Sequence, residues 1–329
     1  MPNRIADVAR FAGVSPTTVR RVLYGRPGTA RATRDAVLTA LDVLGIERPA
    51  ALREQRHGLV GLVIPDLQNP IFPAFAEVLV AALVRQGLSA VLCTRTADGV
   101  SEANYLEMLL KQDLMGIVFV GSSFADAGAA HGRELREREV PIVLINAADE
   151  NPGVPRVRVD DALAVEQSLA HLTALGHERI GLIAGPAGHV PSARKLGAFA
   201  QARPGDWRRL VAHTIFSVEG GTSAGARLLD EGVTAVICAS DALAMGAVRA
   251  ARRRGLDVPG GLSVVGFDDS LYMGFTDPPL TTIRQPVQVM GAAAMAALTA
   301  QIRGHAVNAD EILCAPELIV RASTAPPIC

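Results

Sequence analysis

The chain has 329 residues, 49% of them hydrophobic, and a formal net charge of −1. That length exceeds what one ordinary core organises, so two or three domains are expected. The four cysteines, Cys93, Cys238, Cys314 and Cys329, are scattered without a C-x-x-C pair, which argues against a disulfide framework and a zinc site. No apolar run has the length of a membrane span and no apolar signal stretch opens the chain, so a cytoplasmic location without membrane contact is expected. Neither G-x-G-x-x-G nor G-x-x-x-x-G-K-[ST] occurs, so no nucleotide cofactor is expected, and no metal.

The charge is unevenly placed. Residues 1–56 carry ten arginines against five acids, a balance of +5 that leaves −6 for the remainder. A basic head on an acidic body points to a polyanionic partner for the head.

Within the head, Ile5, Val8, Ala9 and Ala12 recur at helical spacing and predict a short helix from Ile5 to Ala12. Gly13 suits a residue with positive φ that ends a helix and turns the chain. Ser15 can cap the next helix, and Pro16 fits its first position, where no amide donor is needed. That second helix, Pro16 to Leu23, points Val19, Val22 and Leu23 inward and leaves Thr17, Thr18, Arg20, Arg21 and Tyr24 on its other faces. A third helix from Arg31 to Leu44 buries Val37, Ala40, Leu41 and Leu44, and Gly45 stops it. This is a helix-turn-helix followed by a third helix, an arrangement that offers a helix to the major groove of DNA. Threonine and arginine side chains suit base edges and phosphates, with arginine able to bind guanine bidentately. A plain helical protein-binding module is the alternative.

The run Asp7-Val-Ala-x-x-Ala-Gly-Val-Ser-x-x-Thr-Val-x-Arg-Val-Leu23 resembles the DNA-binding head of the lactose/galactose repressor (LacI/GalR) family. The resemblance implies that Pro16, Thr17 and Arg21 face bases, and that Ser15, Thr18 and Arg20 lie near phosphates. Arg20 stands where the family usually has serine, and Tyr24 where it usually has asparagine.

Residues 47–58, Glu47-Arg-Pro-Ala-Ala-Leu-Arg-Glu-Gln-Arg-His-Gly58, resemble the family's hinge. In the family, a leucine about seven positions after the hinge proline wedges into the minor groove, as apolar wedges do. Seven positions after Pro49 stands Arg56, and the nearby leucine is Leu52. Arg53 and Arg56 are alternatives that enter the minor groove electrostatically; a solvated tether is another.

From residue 59 on, apolar strand-like runs alternate with helical ones. The strands are expected at 59–64, 89–94, 116–120, 141–146, 156–159, 179–184, 235–239 and 262–267. The helices are expected at 72–86, 102–111, 161–175, 192–202, 220–231 and 241–254. This rhythm predicts parallel sheets covered by helices, in two lobes, with a ligand crevice at the carboxyl ends of the strands.

The body resembles the same family through Asp66-Leu-Gln-Asn-Pro-Ile-Phe72, His171-Leu-x-x-Leu-Gly-His-Glu-Arg-Ile-Gly181, Arg194-x-x-Gly197, Asp241-x-x-Ala-x-Gly246, Leu262-Ser-Val-Val-Gly-Phe-Asp-Asp269 and Pro278-Pro-Leu-Thr-Thr282. The resemblance implies a periplasmic-binding-protein-like body and places Phe72, Ser122, Asn146, Arg194, Phe216, Asp241 and Asp268 around the crevice. The two acids can accept from vicinal hydroxyls, Arg194 and Asn146 can donate, and the phenylalanines can stack on a ring face.

The expected architecture is therefore a small all-α helix-turn-helix head (1–46), a linker (47–58) and an α/β body of two parallel-sheet lobes (59–329). It implies a transcriptional repressor with no catalytic residues. Its expected partners are near-palindromic double-stranded operator DNA, a second copy in a homodimer, and a small-molecule effector, a sugar first and a purine or nucleoside second. No heptad tail follows Leu318-Ile-Val-Arg-Ala-Ser323, which favours a dimer over a tetramer. Whether the effector induces or co-represses stays open. A hydrolase is the rival: Gly221-Thr-Ser-Ala-Gly225 matches the nucleophile-elbow pattern, with Asp268 and His305 downstream. The elbow needs a strand-to-helix turn at Ser223, whereas the strand-like run ends near Val218.

Overall fold

The computed structural model describes residues 2–24, 29–44, 46, 58–94, 102–112, 114–121, 139–147, 154–203, 205, 207–307 and 311–328. The chain divides into two compact units, Met1–Gly58 and Leu59–Cys329.

The first unit holds helices α1 (Pro2–Phe11), α2 (Pro16–Leu23) and α3 (Arg31–Val43). Gly13, at φ +65°, turns the chain between the first two. The Thr18 amide donates to Ser15 Oγ at 3.1 Å, satisfying one of the orphan donors at the start of α2, and Pro16 occupies the opening turn. Val8 and Ala9, Val19 and Val22, and Val37, Ala40 and Leu41 meet in one small core. Leu44 does not join them. α3 ends at Val43, and Leu44 is 39% exposed. The chain folds back instead, so that the Ile46 amide donates to the Leu41 carbonyl at 2.9 Å and Ile46 packs on the core.

The second unit contains two six-stranded sheets with matching topology. The first runs in the order β11-β5-β4-β3-β1-β2, from β1 (Leu59–Ile64), β2 (Ser89–Thr94), β3 (Leu114–Val120), β4 (Ile142–Ile145), β5 (Arg156–Val159) and β11 (Glu311–Cys314). Its ladders are all parallel. Helices α4 (Ile71–Arg85), α5 (Glu102–Leu110) and α10 (Val287–Ile302) belong to this lobe. The second sheet runs β12-β10-β9-β8-β6-β7, from β6 (Ile180–Ala184), β7 (Val211–His213), β8 (Ala235–Cys238), β9 (Ser263–Asp268), β10 (Thr281–Arg284) and β12 (Glu317–Ile319). It is parallel except where β12 pairs antiparallel with β10. Helices α6 (Asp161–Ala174), α7 (Val190–Ala202), α8 (Val218–Asp230) and α9 (Asp241–Arg253) belong to it. Every residue of β4, β6, β8 and β9 is buried, as sheets covered on both faces require, and this is why those strands read as continuous apolar runs.

The chain crosses between the lobes three times, after β5, after β10 and after β11. The last two crossings were not legible in the sequence, nor was α10. That helix is built from Val, Met, Ala and Leu on nearly all sides, and of its exposed positions Gln288, Val289, Ala292 and Ala296 three are apolar, so no 3.6-residue period shows.

The second lobe owes its tight helix pair to glycine. A Cβ on Gly246 would lie 2.4 Å from the Val218 carbonyl oxygen, and one on Gly221 would lie 2.3 Å from that of Leu243. Both contacts are to backbone, so α8 and α9 approach more closely than any larger residue permits. Gly197, in contrast, sits in α7 with nothing near its Cβ position. Gly246→Ala is expected to lower stability by about 1–3 kcal/mol through overpacking, and Gly197→Ala to raise it by up to about 1 kcal/mol through helix propensity. Urea unfolding of the two variants checks the opposite signs.

Candidate functional site

Two sites present themselves, one in each unit. On the head, α2 turns Val19 and Val22 inward and leaves Pro16, Thr17, Arg20, Arg21 and Tyr24 exposed. Ser15 is committed to the cap, and its hydroxyl also shares a hydrogen bond of 2.8 Å with the Thr18 hydroxyl. The exposed face therefore carries two guanidinium groups, a threonine and a tyrosine with no acid on the same helix, a surface suited to polyanions. Leu52, Arg53 and Arg56 of the linker lie outside the described residues.

In the body, the carboxyl ends of both sheets open onto a cleft of about 610 Å³, within the usual range for small-molecule sites. Asp66 follows β1, Gly121 follows β3, Asn146 follows β4, Phe216 follows β7, Asp241 follows β8, Asp268 ends β9 and Gln285 follows β10. Phe72, Asn146, Phe216, Asp241 and Asp268 all line it. Ser122 lies outside the described residues.

The two phenylalanines are held by glycines. A Cβ on Gly121 would stand 2.6 Å from the Phe72 ring, and one on Gly185 would stand 2.2 Å from that of Phe216. Each ring lies over bare backbone at a strand end. Phe216 is 40% exposed and meets His189 edge-on, with centroids 4.9 Å apart.

Between the lobes runs a chain of amides and acids. The Asn146 Nδ2 donates to Gln285 Oε1 at 2.7 Å, Gln285 Nε2 donates to Asp268 Oδ1 at 2.6 Å, and Asn69 Nδ2 donates to Asp268 Oδ2 at 3.3 Å. Asn146 Oδ1 accepts from the Val159 amide at 3.0 Å, beside the first crossing. Asn146 and Asp268 have φ of 50° and 124°. The first lies in the left-handed region that asparagine tolerates, whereas the second lies well outside it and strains the Asp268 backbone, and such strain gathers at functional sites.

Asp241 lines the cleft but turns its carboxylate inward. Its Oδ2 accepts from the Ser270 amide at 2.8 Å and the Ser270 hydroxyl at 2.7 Å, and its Oδ1 accepts from the Thr282 hydroxyl at 2.6 Å. It braces β10 and the loop after β9. It does not cap α9, since that role falls to Ser240, whose Oγ accepts from the Leu243 amide at 3.2 Å.

Arg194 is not among the lining side chains. On α7 the buried face carries Ser192, Lys195 and Phe199, so the helical turn directs Arg194 elsewhere, toward Glu311 at 3.4 Å. The cation in the cleft is Lys195, one of only two lysines in the chain. It is paired with the buried Asp161, and its Nζ sits 3.7 Å from the centroid of the Phe267 ring. Lys195, Asp161, His189, Asn69 and Gln285 were missed in the sequence. For Lys195 a signal existed: it shares the apolar phase of Phe199, one turn on, which Arg194 does not.

The nucleophile-elbow reading is overturned. Ser223 lies inside α8 with its side chain exposed, and Gly221 and Gly225 serve the contact of α8 with α9. A helix interior offers no strand-to-helix turn. His305 is exposed beyond the end of α10.

Burial raises the Asp268 pKa well above the usual carboxylate range, and the nearby Asp241 charge adds to it, while the Gln285 and Asn69 amides and Lys195 work against it. Burial likewise raises Asp241, against its three hydrogen bonds. A raised carboxyl pKa favours the folded state at low pH, and that contribution is lost as pH rises from about 4, the unfolded value, through the folded one. The melting temperature of the wild type relative to Asp268→Asn is therefore expected to fall as pH rises over this range. A difference independent of pH would show that Asp268 is ionised throughout this range.

A helical head with an exposed basic face, joined to a two-lobed body with a polar cleft at its strand ends, defines a class of two-part DNA-binding regulators. Residues 4–46 match the description "Bacterial regulatory proteins, lacI family", and residues 169–324 match the periplasmic binding protein-like domain. HTH-type transcriptional regulator MalR of Streptomyces coelicolor is 47% identical over 335 residues, covering 99% of this chain and 97% of that one. Among solved structures, the lac repressor dimer bound to operator and the anti-inducer ONPF is 26% identical at a TM-score of 0.77, covering 97% of this chain and 98% of that one. The transcriptional regulator CelR–cellobiose complex is 27% identical at a TM-score of 0.72, covering 97% and 99%. The chain belongs to the LacI family of DNA-binding transcriptional regulators. No helix among the described residues is long and apolar enough to cross a membrane.

Proposed function

We propose that this regulator is a repressor that acts as a homodimer on near-palindromic double-stranded DNA, with operator affinity set by a carbohydrate held between its lobes. Residues 1–46 contact the operator, 47–58 connect, and 59–329 bind effector and dimerise. The protein works in the cytoplasm. The observation that carries the reading is the cleft itself: amide and carboxyl groups from both lobes converge on one space flanked by Phe72 and Phe216. Hydroxyl-rich rings suit that lining, with polar edges for the amides and acids and an apolar face for the aromatic rings. The CelR–cellobiose complex supports a saccharide, and the operator-bound lac repressor dimer supports the DNA and dimer readings.

In the head, Thr17 and Arg21 reach bases, and Arg20 adds a phosphate or base contact. Exposed apolar side chains in both lobes suit a partner copy: Val80 and Val84 lie one turn apart on α4, and Leu271, Tyr272 and Phe275 follow β9. Effector and operator are coupled reciprocally, so each changes the affinity of the other by the same factor.

Selection of duplex DNA from a random pool with the purified protein, followed by titration with neutral mono- and disaccharides, tests the reading. The expected result is a near-palindromic sequence bound with a steep salt dependence and an affinity that one saccharide shifts. No enriched sequence with or without saccharides would sink it. Arg21→Ala is expected to cost about 1–3 kcal/mol and relax the preference at one position of each half-site. Phe216→Ala is expected to weaken the saccharide response while leaving operator binding without saccharide unchanged, as read by fluorescence anisotropy of labelled operator.

A further inference from the structure

The segment after β12 is fastened across the amino ends of β9 and β10. The Val264 amide donates to the Ser323 carbonyl at 2.8 Å, the Ser323 hydroxyl donates to the Val264 carbonyl at 2.6 Å, and the Thr281 amide donates to Ser323 Oγ at 2.8 Å. The same segment holds the loop 269–280. Arg321 donates to the Leu280 carbonyl at 2.7 Å and pairs with Asp269 at 2.6 Å, and the Ala322 amide donates to the Pro279 carbonyl at 3.0 Å. That loop follows Asp268, supplies Ser270 and Met273 to the lining of the cleft, and exposes Leu271, Tyr272 and Phe275.

Two histidines grip this segment, one from α6 and one from the turn that follows it. His171 Nε2 lies 2.9 Å from the Thr324 hydroxyl, which in turn lies 3.3 Å from that of Thr281. His177 is 2% exposed and engages both ring nitrogens. Its Nε2 lies 2.9 Å from the Ala325 carbonyl oxygen and 3.0 Å from Ser263 Oγ, and its Nδ1 lies 2.8 Å from the Thr234 hydroxyl. A carbonyl only accepts, so Nε2 carries the hydrogen and Nδ1 accepts from Thr234. A second proton, on Nδ1, forces the Thr234 hydroxyl to turn away and leaves a cation in a buried site.

The charged groups nearby do not neutralise it. Glu178, next in the chain, is exposed, Arg179 donates to the Glu231 and Gly232 carbonyls, and Arg321 is committed to Asp269. Among the described residues, hydroxyls and one carbonyl surround the two rings, and no carboxylate hydrogen-bonds to either. Burial holds both histidines below their ordinary pKa; the His177 charge lowers His171 further, while the Ala325 carbonyl works the other way on His177. A lowered histidine pKa stabilises the closed arrangement above about pH 6.5, the unfolded value, and that contribution is lost as pH falls through the folded one.

We propose that His171 and His177 form an acid-released clamp: protonation of the two rings frees residues 321–325, and with them the loop 269–280. The loop contributes to the cleft wall and carries exposed apolar side chains, so the release is felt at both places.

Deuterium exchange of the full chain, expressed as protection relative to the intrinsic rate at each pH, tests the proposal. From about pH 7.5 to about pH 5, protection of 269–280 and 320–328 is expected to fall roughly tenfold or more, while that of β1 and β3 holds. His177→Gln keeps a donor for the Ala325 carbonyl but cannot be protonated, and is expected to remove most of the pH dependence; His171→Gln is expected to remove part. Circular dichroism checks the fold of each variant. Should His177→Gln not fold, titration of the histidine rings of the wild type by NMR decides, with His177 expected to titrate below the ordinary histidine value. Protection that does not change with pH overturns the proposal, as does a loss shared equally by β1 and β3. So do a pH dependence that survives both substitutions and a His177 ring that titrates at or above the ordinary value.

Discussion

A carboxyl group buried where two sheets end must find its hydrogen-bond donors across the gap between them. Asp268 does so. Its own lobe supplies the strand that carries it, while Asn69 comes from the other lobe and Gln285 from the crossing between them. The arrangement of the lobes is thus written into the solvation of one side chain. Separating them takes a donor from Asp268, and water or a ligand hydroxyl must replace it, because an unsatisfied buried acceptor costs about 1–3 kcal/mol. Any ligand that offers hydroxyls to Asp268 competes with the protein's own amides for the same lone pairs. The cleft therefore senses its contents through hydrogen bonds that already hold the lobes.

Such sensing needs lobes that move as bodies. Parallel strands buried on both faces, and helices joined through glycine at the α8–α9 contact, leave little room for deformation within a lobe. Two acids near the seam show the division of labour. Asp241, with every oxygen engaged inside its own lobe, stiffens the second sheet. Asp268, with donors from elsewhere, reports on the relation between the lobes.

Much of this was legible in the sequence. Strands buried on both faces read as apolar runs, and helices with one wet face read as periodic, so eight of the twelve strands and six of the seven body helices among the described residues follow from pattern; α10, apolar on nearly every side, and the short strands β7, β10, β11 and β12 do not. The site was harder. Asn146, Phe216, Asp241 and Asp268 stand at or just after strand ends and Phe72 in the first turn of α4, where topology brings chain-distant residues together. Their grouping rested on resemblance, since no local pattern encodes it. Arg194 shows the limit: neighbours on a helix point about 100° apart, so Lys195 lines the cleft while Arg194 turns to Glu311. The inward turn of Asp241 depends on Ser270 and Thr282, residues that no spacing ties to it.

The one-residue difference between Arg194 and Lys195 also separates two kinds of electrostatics. Lys195 is a point charge paired with Asp161 and lying against Phe267, so the lysine of the cleft is already matched within the protein. A neutral ligand can bind there without leaving a buried charge unpaired. Arg194 instead shares the Glu311 carboxylate with Arg158. Adjacent residues on α7 thus face two environments: the cleft on one side, and on the other the ion pairs that tie α7 to β5 and β11. Both bear on the same motion, because each joins groups from the two lobes, and a change in either one alters the free energy of the lobe arrangement on which the other depends.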